Sequence, residues 1–290
     1  AAKLIAGDET DYLPFAVLPA KRTSTAEVAV LMSTFTYQAY ANELWDVSGL
    51  NCLYDHYADG SSVPLASHLL PMQNFRPCEG LYRNINGDAF SRHLNADLSL
   101  LYWLTRMNVA FDVLSDHHLH KEGVELLSPY KVVATGSHPE YVSGQILDGI
   151  EAFLQTSGSL MYLGGNGFYW VTDMSDDGSV VEVRRPNGTR PSTSEPGESF
   201  QQLTGELGGL WKDRGRPPQK LTGVGFIAQG WTSEDRCGLA QPYTVSDLAI
   251  GPAYSDLFAG LQSGDSIGAF PSAGLGHGAA GDEIDCVDLI

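Results

Sequence analysis

The sequence is poor in cysteine and in positive charge, and it contains no long apolar run. Its four cysteines, Cys52, Cys78, Cys237 and Cys286, lie far apart in 290 residues with no CxxC pair. That spacing argues against a zinc ribbon and a disulfide framework. It fits free thiols in a reducing compartment, so a cytoplasmic location is expected. Lys and Arg total 17 against 35 Asp and Glu, a formal charge of −18. A chain so acidic repels phosphate backbones and anionic lipid, which argues against nucleic acid or a membrane surface as partner. No stretch approaches the roughly 20 apolar residues of a membrane helix, and the opening residues lack a basic segment followed by an apolar one.

What is present is the composition of a core-forming chain, 43% hydrophobic and 10% aromatic. Such a chain buries enough apolar surface to offset the entropy of ordering, and disorder throughout is excluded. Its length suits one large domain or a domain with an appendage. Residues 1–25 have mixed character and read as a lead-in, and 26–290 read as a single α/β domain. The chain opens on Ala1 and ends at Ile290 without a closing helical pattern, so it is expected to be part of a longer subunit.

Short apolar runs at Ala26–Met32, Ala110–Leu114, Lys131–Thr135 and Ser159–Leu163 predict buried strands. Between them Leu94, Leu98, Leu101 and Leu104, then Ile146, Ile150, Phe153 and Leu154, recur at helical spacing. Strands alternating with helices predict βαβ units and a doubly wound, mostly parallel sheet. From 173 to 220 the motifs DDGS, RRPNGTRP, SEPGE and RGRPP crowd Gly, Pro and charge together. This texture predicts a Gly/Pro-rich irregular insertion.

Ligands of open parallel sheets bind beyond the carboxyl ends of the strands. The segments expected there carry Tyr37, Tyr40, His118, His120, His138, Glu140 and Asn166, all placed at one sheet edge by the predicted topology. A serine or cysteine hydrolase is disfavoured, because no GxSxG is present and no Cys follows a predicted strand; Ser137, in GSHPE, lacks the flanking glycines of a nucleophile elbow. The SDHHLH segment, with Asp116, His117, His118 and His120, has two readings. It is either an imidazole-rich metal site or a strand-to-helix turn whose helix Asp116 caps. A third candidate is an oxygen-donor site from Tyr40, Tyr54 and Glu140, whose hard anionic donors suit a trivalent cation. Composition and spacing do not single these residues out among 13 tyrosines.

The stretches TYQAYAN (Thr36–Asn42), LYDHYADGSSV (Leu53–Val63), Asn74–Pro77, DHHLH, GSHPEY, LGGNGFYW, VVEVRR (Val180–Arg185), Thr204–Phe226 and GAAGDEID (Gly278–Asp285) occur in an order that resembles the large (β) subunit of N,N-dimethylformamidase and its relatives. The resemblance implies a glutamine-amidotransferase-like α/β domain without that fold's cysteine nucleophile. It also implies a mononuclear ferric ion held by Tyr40, Tyr54 and Glu140, with Tyr37 and Tyr57 as rivals to the two tyrosines. His138, Asn166 and Glu283 are implied as the groups that handle substrate and water around the iron. The activity implied is hydrolysis of small N-substituted formamides or related amides to carboxylate and amine, with a small subunit and a homo-oligomer as possible partners. A compact aromatic pocket for the amide methyls is expected from Trp45, Phe168, Tyr169 and Trp170. The interval between Tyr40 and Tyr54 is short for that family, and Cys286 stands where the family commonly has arginine. A non-catalytic α/β binding or assembly domain of a larger subunit is the competing reading.

Overall fold

The computed structural model describes residues 2–13, 15–20, 26–42, 52–72, 94–186, 198–225 and 243–267. Its centre is a four-stranded, fully parallel sheet built from β3 (Val28–Met32), β5 (Phe111–Ser115), β6 (Val132–Thr135) and β8 (Ser159–Met161), in the order β5-β3-β6-β8. Strand β3 shows why a short apolar run is required here. Its side chains alternate between two cores, Ala29 and Leu31 facing one and Val30 and Met32 the other, so neither face tolerates polar residues.

The smaller core is closed by α2 (Leu94–Arg106), whose Leu94 and Leu104 pack with Val30 and Met32. The larger is closed by α1 (Thr34–Ala39), α3 (Asp116–Glu122), α4 (Val124–Leu127) and α5 (Gly144–Gln155), through Phe35, Leu119, Leu127, Ile146, Ile150 and Phe153. Helices therefore cover both faces, as the alternating pattern predicts. Helix α5 starts where Ser143 accepts the Ile146 N–H, a serine N-cap that satisfies an otherwise orphaned donor.

A second four-stranded sheet lies against the larger core and was not predicted. It comprises β4 (Leu65–Ser67), β7 (Tyr141–Val142), β9 (Trp170–Met174) and β10 (Val180–Val183), in the order β4-β10-β9-β7. Only β7 and β9 pair in parallel; β4-β10 and β10-β9 are antiparallel. Part of the stretch read as an irregular insertion is thus regular structure. The DDGS motif is the turn of the β9-β10 hairpin, where Gly178 takes a φ of 78° and Asp177 accepts from the Ser179 N–H and from the Ser175 and Ser179 hydroxyls. The segment read as a lead-in holds an antiparallel hairpin, β1 (Ala2–Ala6) with β2 (Glu9–Leu13). Farther along lie α6 (Gln219–Thr222) and a paired β11 (Tyr243–Thr244) and β12 (Ser266–Ile267).

Among the described residues no helix is long and apolar enough to cross a membrane. Cys52 is buried, and its sulfur accepts the Tyr54 N–H at 3.3 Å; the other cysteines lie outside the described residues.

Phe35 joins helix α1 to the larger core with none of its surface exposed. Phe35→Ala is expected to lower unfolding stability by about 3–5 kcal/mol, read as a fall in the urea midpoint with little change in slope.

Candidate metal centre

The site forms where α1 ends. Tyr40 follows the helix as its C-terminal cap, and its N–H returns to the Thr36 carbonyl. One turn back, the Thr36 hydroxyl accepts the backbone N–H groups of Glu140 at 3.2 Å and Tyr141 at 3.4 Å. The same short helix therefore carries one phenol and anchors the backbone of the acid. Tyr54 arrives on a tight turn after Cys52, tied to the helix by the Leu53 N–H donating to the Ala39 carbonyl. Glu140 stands between β6 and β7, after a Pro139 turn closed by its own N–H on the His138 carbonyl.

These segments meet on the Glu140 carboxylate, which is 1% exposed. Oε2 accepts from the Tyr40 hydroxyl at 2.7 Å and lies 3.0 Å from Nε2 of His138. Oε1 accepts from the Tyr54 hydroxyl at 2.7 Å and from Nε1 of Trp170 at 3.0 Å. All four acceptor positions of the carboxylate are thereby filled. The two hydroxyl oxygens lie 3.0 Å apart, and the two phenol rings stack with centroids 4.8 Å apart. Burial by itself raises the Glu140 pKa. The hydrogen bond and charge of His138, with the hydroxyls of Tyr40 and Tyr54, outweigh it and leave the pKa at about 2. Glu140 is therefore ionised and can only accept, so Nε2 of His138 carries the proton. Burial and the Glu140 charge hold the Tyr54 phenol well above its usual pKa.

The donor chemistry fits a hard cation. Two phenol oxygens and a carboxylate converge within hydrogen-bond distance, joined by protons that a cation would displace, and oxygen donors of this kind match hard trivalent metals. Among the described residues no group of three or more His, Cys, Asp and Glu is arranged to hold a metal.

Asn166 lies in the loop after β8, nearly buried and in the left-handed region at φ 50°. That loop is laced to the Glu140 turn, with Gly165 N–H on the Ser137 carbonyl and Phe168 N–H on the Pro139 carbonyl. The site therefore sits beyond the carboxyl ends of β3, β6 and β8, three adjacent strands. Phe168 and Trp170 are buried beside it, and Tyr169 meets Trp170 edge to face. Glu283, Trp45 and Asn74–Pro77 lie outside the described residues.

Tyr37, His118 and His120, expected at this edge, and Tyr57, the rival to Tyr54, lie elsewhere. Tyr37 turns into the smaller core, where its hydroxyl donates to Asp97, and Tyr57 is 47% exposed. The SDHHLH histidines diverge because a helix distributes them around its axis. His117 bonds Thr34 and Gln38, His118 bonds Ser115, and His120 bonds Ser143. The helix is capped by Ser115, which accepts the His118 N–H, rather than by Asp116; that carboxylate is buried and accepts the Phe35 N–H. Thr36 and Arg185 are contributors that the sequence did not mark, and Trp170, expected only as a pocket wall, also donates its indole N–H to Glu140.

A layered α/β protein with an oxygen-donor centre at its sheet edge is the class that fold and site define. The profile of the family described as N,N-dimethylformamidase beta subunit-like, C-terminal, matches residues 1–290. The N,N-dimethylformamidase beta subunit of Paracoccus aminophilus is 34% identical over 319 residues, and that of Alcaligenes sp is 34% identical over 320. Each match covers 100% of this chain and 40% of the relative's length. The chain belongs to this C-terminal family.

Asp116 and His117 make stability depend on pH with opposite signs. Burial lifts Asp116 to about 8, so between about 4 and 8 the unfolded chain binds fewer protons and stability falls as pH rises. Burial, aided by the His68 charge, lowers His117 to about 4, so its contribution is lost as pH falls from about 6.5 toward 4. The two offset each other below about 6.5, leaving a net fall above it. Melting temperature against pH is expected to decline from pH 6.5 to 8, and Asp116→Asn, which keeps an acceptor for Phe35, is expected to flatten that decline.

Proposed function

We propose that this chain is the catalytic domain of an iron-dependent amidohydrolase that cleaves small N-substituted formamides or related amides to carboxylate and amine. The observation that carries the reading is the convergence of the Tyr40, Tyr54 and Glu140 oxygens at 2.7–3.0 Å. The names of the relatives point to the same substrate class, and their designation as beta subunits supports assembly into a multi-subunit enzyme; a small subunit and further copies of this chain are the partners assigned to it. The parallel sheet with its site at the carboxyl ends of the strands is consistent with a glutamine-amidotransferase-like fold in which an oxygen-ligated metal replaces the cysteine nucleophile.

Tyr40, Tyr54 and Glu140 would hold the ferric ion, and the ion supplies the Lewis acidity that an amide carbonyl, a poor electrophile, requires. Tyr40 and Tyr54 would have to give up their phenol protons to hold the ion, so acid would weaken the site. His138 holds a proton at Nε2 against Glu140 and orients that carboxylate; if Glu140 gives up this bond to a cation, the same N–H is assigned, with the Asn166 amide, to hydrogen bonding of a developing oxyanion. Glu283 is assigned general-base chemistry on water and proton delivery to the leaving amine. A tertiary amide offers no N–H, so recognition falls to shape, and Phe168, Tyr169 and Trp170 are the residues assigned to an apolar wall for its methyl groups.

The test is release of dimethylamine from N,N-dimethylformamide. Tyr54→Phe and Glu140→Gln are expected to lower kcat/KM by more than the roughly 100-fold that loss of an outer partner can cost, whereas Tyr57→Phe leaves it within about twofold. Full activity in both ligand variants would overturn the assignment. An iron-free protein that binds amides without cleaving them would favour a binding or assembly domain.

A further inference from the structure

Arg185 is buried, 5% exposed, and among the described residues no carboxylate lies within ion-pair distance of it. Its neighbour Arg184 is conventional, pairing with Glu182 at 2.6 Å and Glu198 at 3.2 Å. An isolated buried cation is costly, so the surroundings of Arg185 must offset its loss of water. They do so mainly with aromatic faces. Its guanidinium carbon lies 4.7 Å from the ring centre of Trp170 and 5.4 Å from that of Tyr54. Nη1 donates to the Leu53 carbonyl at 2.8 Å and Nη2 to the Tyr141 hydroxyl at 3.3 Å, while Nε finds no acceptor among the described residues.

These contacts share one property. Leu53 precedes Tyr54, Tyr141 follows Glu140, and Trp170 and Tyr54 are the two groups that donate to Oε1 of Glu140. A planar, permanently charged fork is suited to hold two rings and two segments at once, which an ammonium or an alkyl chain is not.

We propose that Arg185 is the positioning residue of this centre, a clamp that sets Tyr54 and Trp170 against Oε1 of Glu140 before any cation arrives. It touches neither the carboxylate nor a substrate and acts through the groups it holds. The effect on metal affinity rests on the ferric reading above; the clamp itself does not.

Arg185→Met and Arg185→Lys are compared with the unaltered sequence in protein labelled with 3-fluorotyrosine, the Tyr54 resonance being assigned by Tyr54→Phe. Without metal, Arg185→Met is expected to shift the Tyr54 fluorine signal while those of the exposed Tyr102 and Tyr254 stay in place. Ferric affinity, measured by competition with a chelator and read from the tyrosinate-to-iron absorption band, is expected to fall roughly 10- to 100-fold. Arg185→Lys, which retains the charge and one carbonyl bond, is expected to fall between the two, and it decides the matter if the Met variant does not fold. An unmoved Tyr54 signal in a folded variant overturns the clamp, whatever iron does. An unaltered protein that shows no ferric band sinks the ferric reading alone, and the fluorine signal then decides the clamp by itself.

Discussion

An ionised carboxylate removed from water must have its lone pairs met by the protein, and most of this architecture follows from meeting those of Glu140. Its four donors come from four places in the chain: the end of α1, the turn after Cys52, the residue two before the acid, and the first residue of β9. None of these segments is long, and none would hold its donor in place alone. The parallel sheet fixes the end of α1 and the turn after β6, and the second sheet brings Trp170 to the opposite oxygen. A charge-assisted network of this kind is strong when complete and costly when one member is missing.

The same network explains why two phenols face one acid. Without a cation each phenol is a hydrogen-bond donor, and burial together with the Glu140 charge keeps the Tyr54 proton in place. A trivalent ion held there would reverse that preference, since its field favours the phenolate and the carboxylate together. The arrangement is therefore closed while protonated, and on the ferric reading it would present three anionic groups, two phenolates and a carboxylate, to a hard cation. Arg185 behind Tyr54 and Trp170 adds rigidity without adding a ligand.

The parts of the fold legible in the sequence are those with a strong period. Apolar runs marked β3, β5, β6 and β8 to within a few residues, and leucine and isoleucine spacing marked α2 and α5. The second sheet was hidden because β4 and β7 are too short to show alternation and because the Asp-Gly turn of its hairpin resembles the start of a loop. His118 and His120 follow a strand as expected, but a helix begins immediately at Asp116 and turns them away from the sheet edge. Tyr40 and Tyr54 carry no local mark that separates them from Tyr37 and Tyr57; only the family likeness chose between the pairs, and only the fold brings the first pair onto Glu140. Trp170 and Arg185 matter because the fold sets an indole N–H on Glu140 and a guanidinium plane against two rings; their residue types supply those groups, and placement alone makes them count.

The central claim is that Tyr40, Tyr54 and Glu140 form a ferric site. It is tested most directly by iron analysis of the purified protein together with its visible absorption spectrum. The account predicts near-stoichiometric iron and a tyrosinate-to-iron charge-transfer band. Protein that is colourless and iron-free, and stays so after reconstitution with ferric salt, would contradict it.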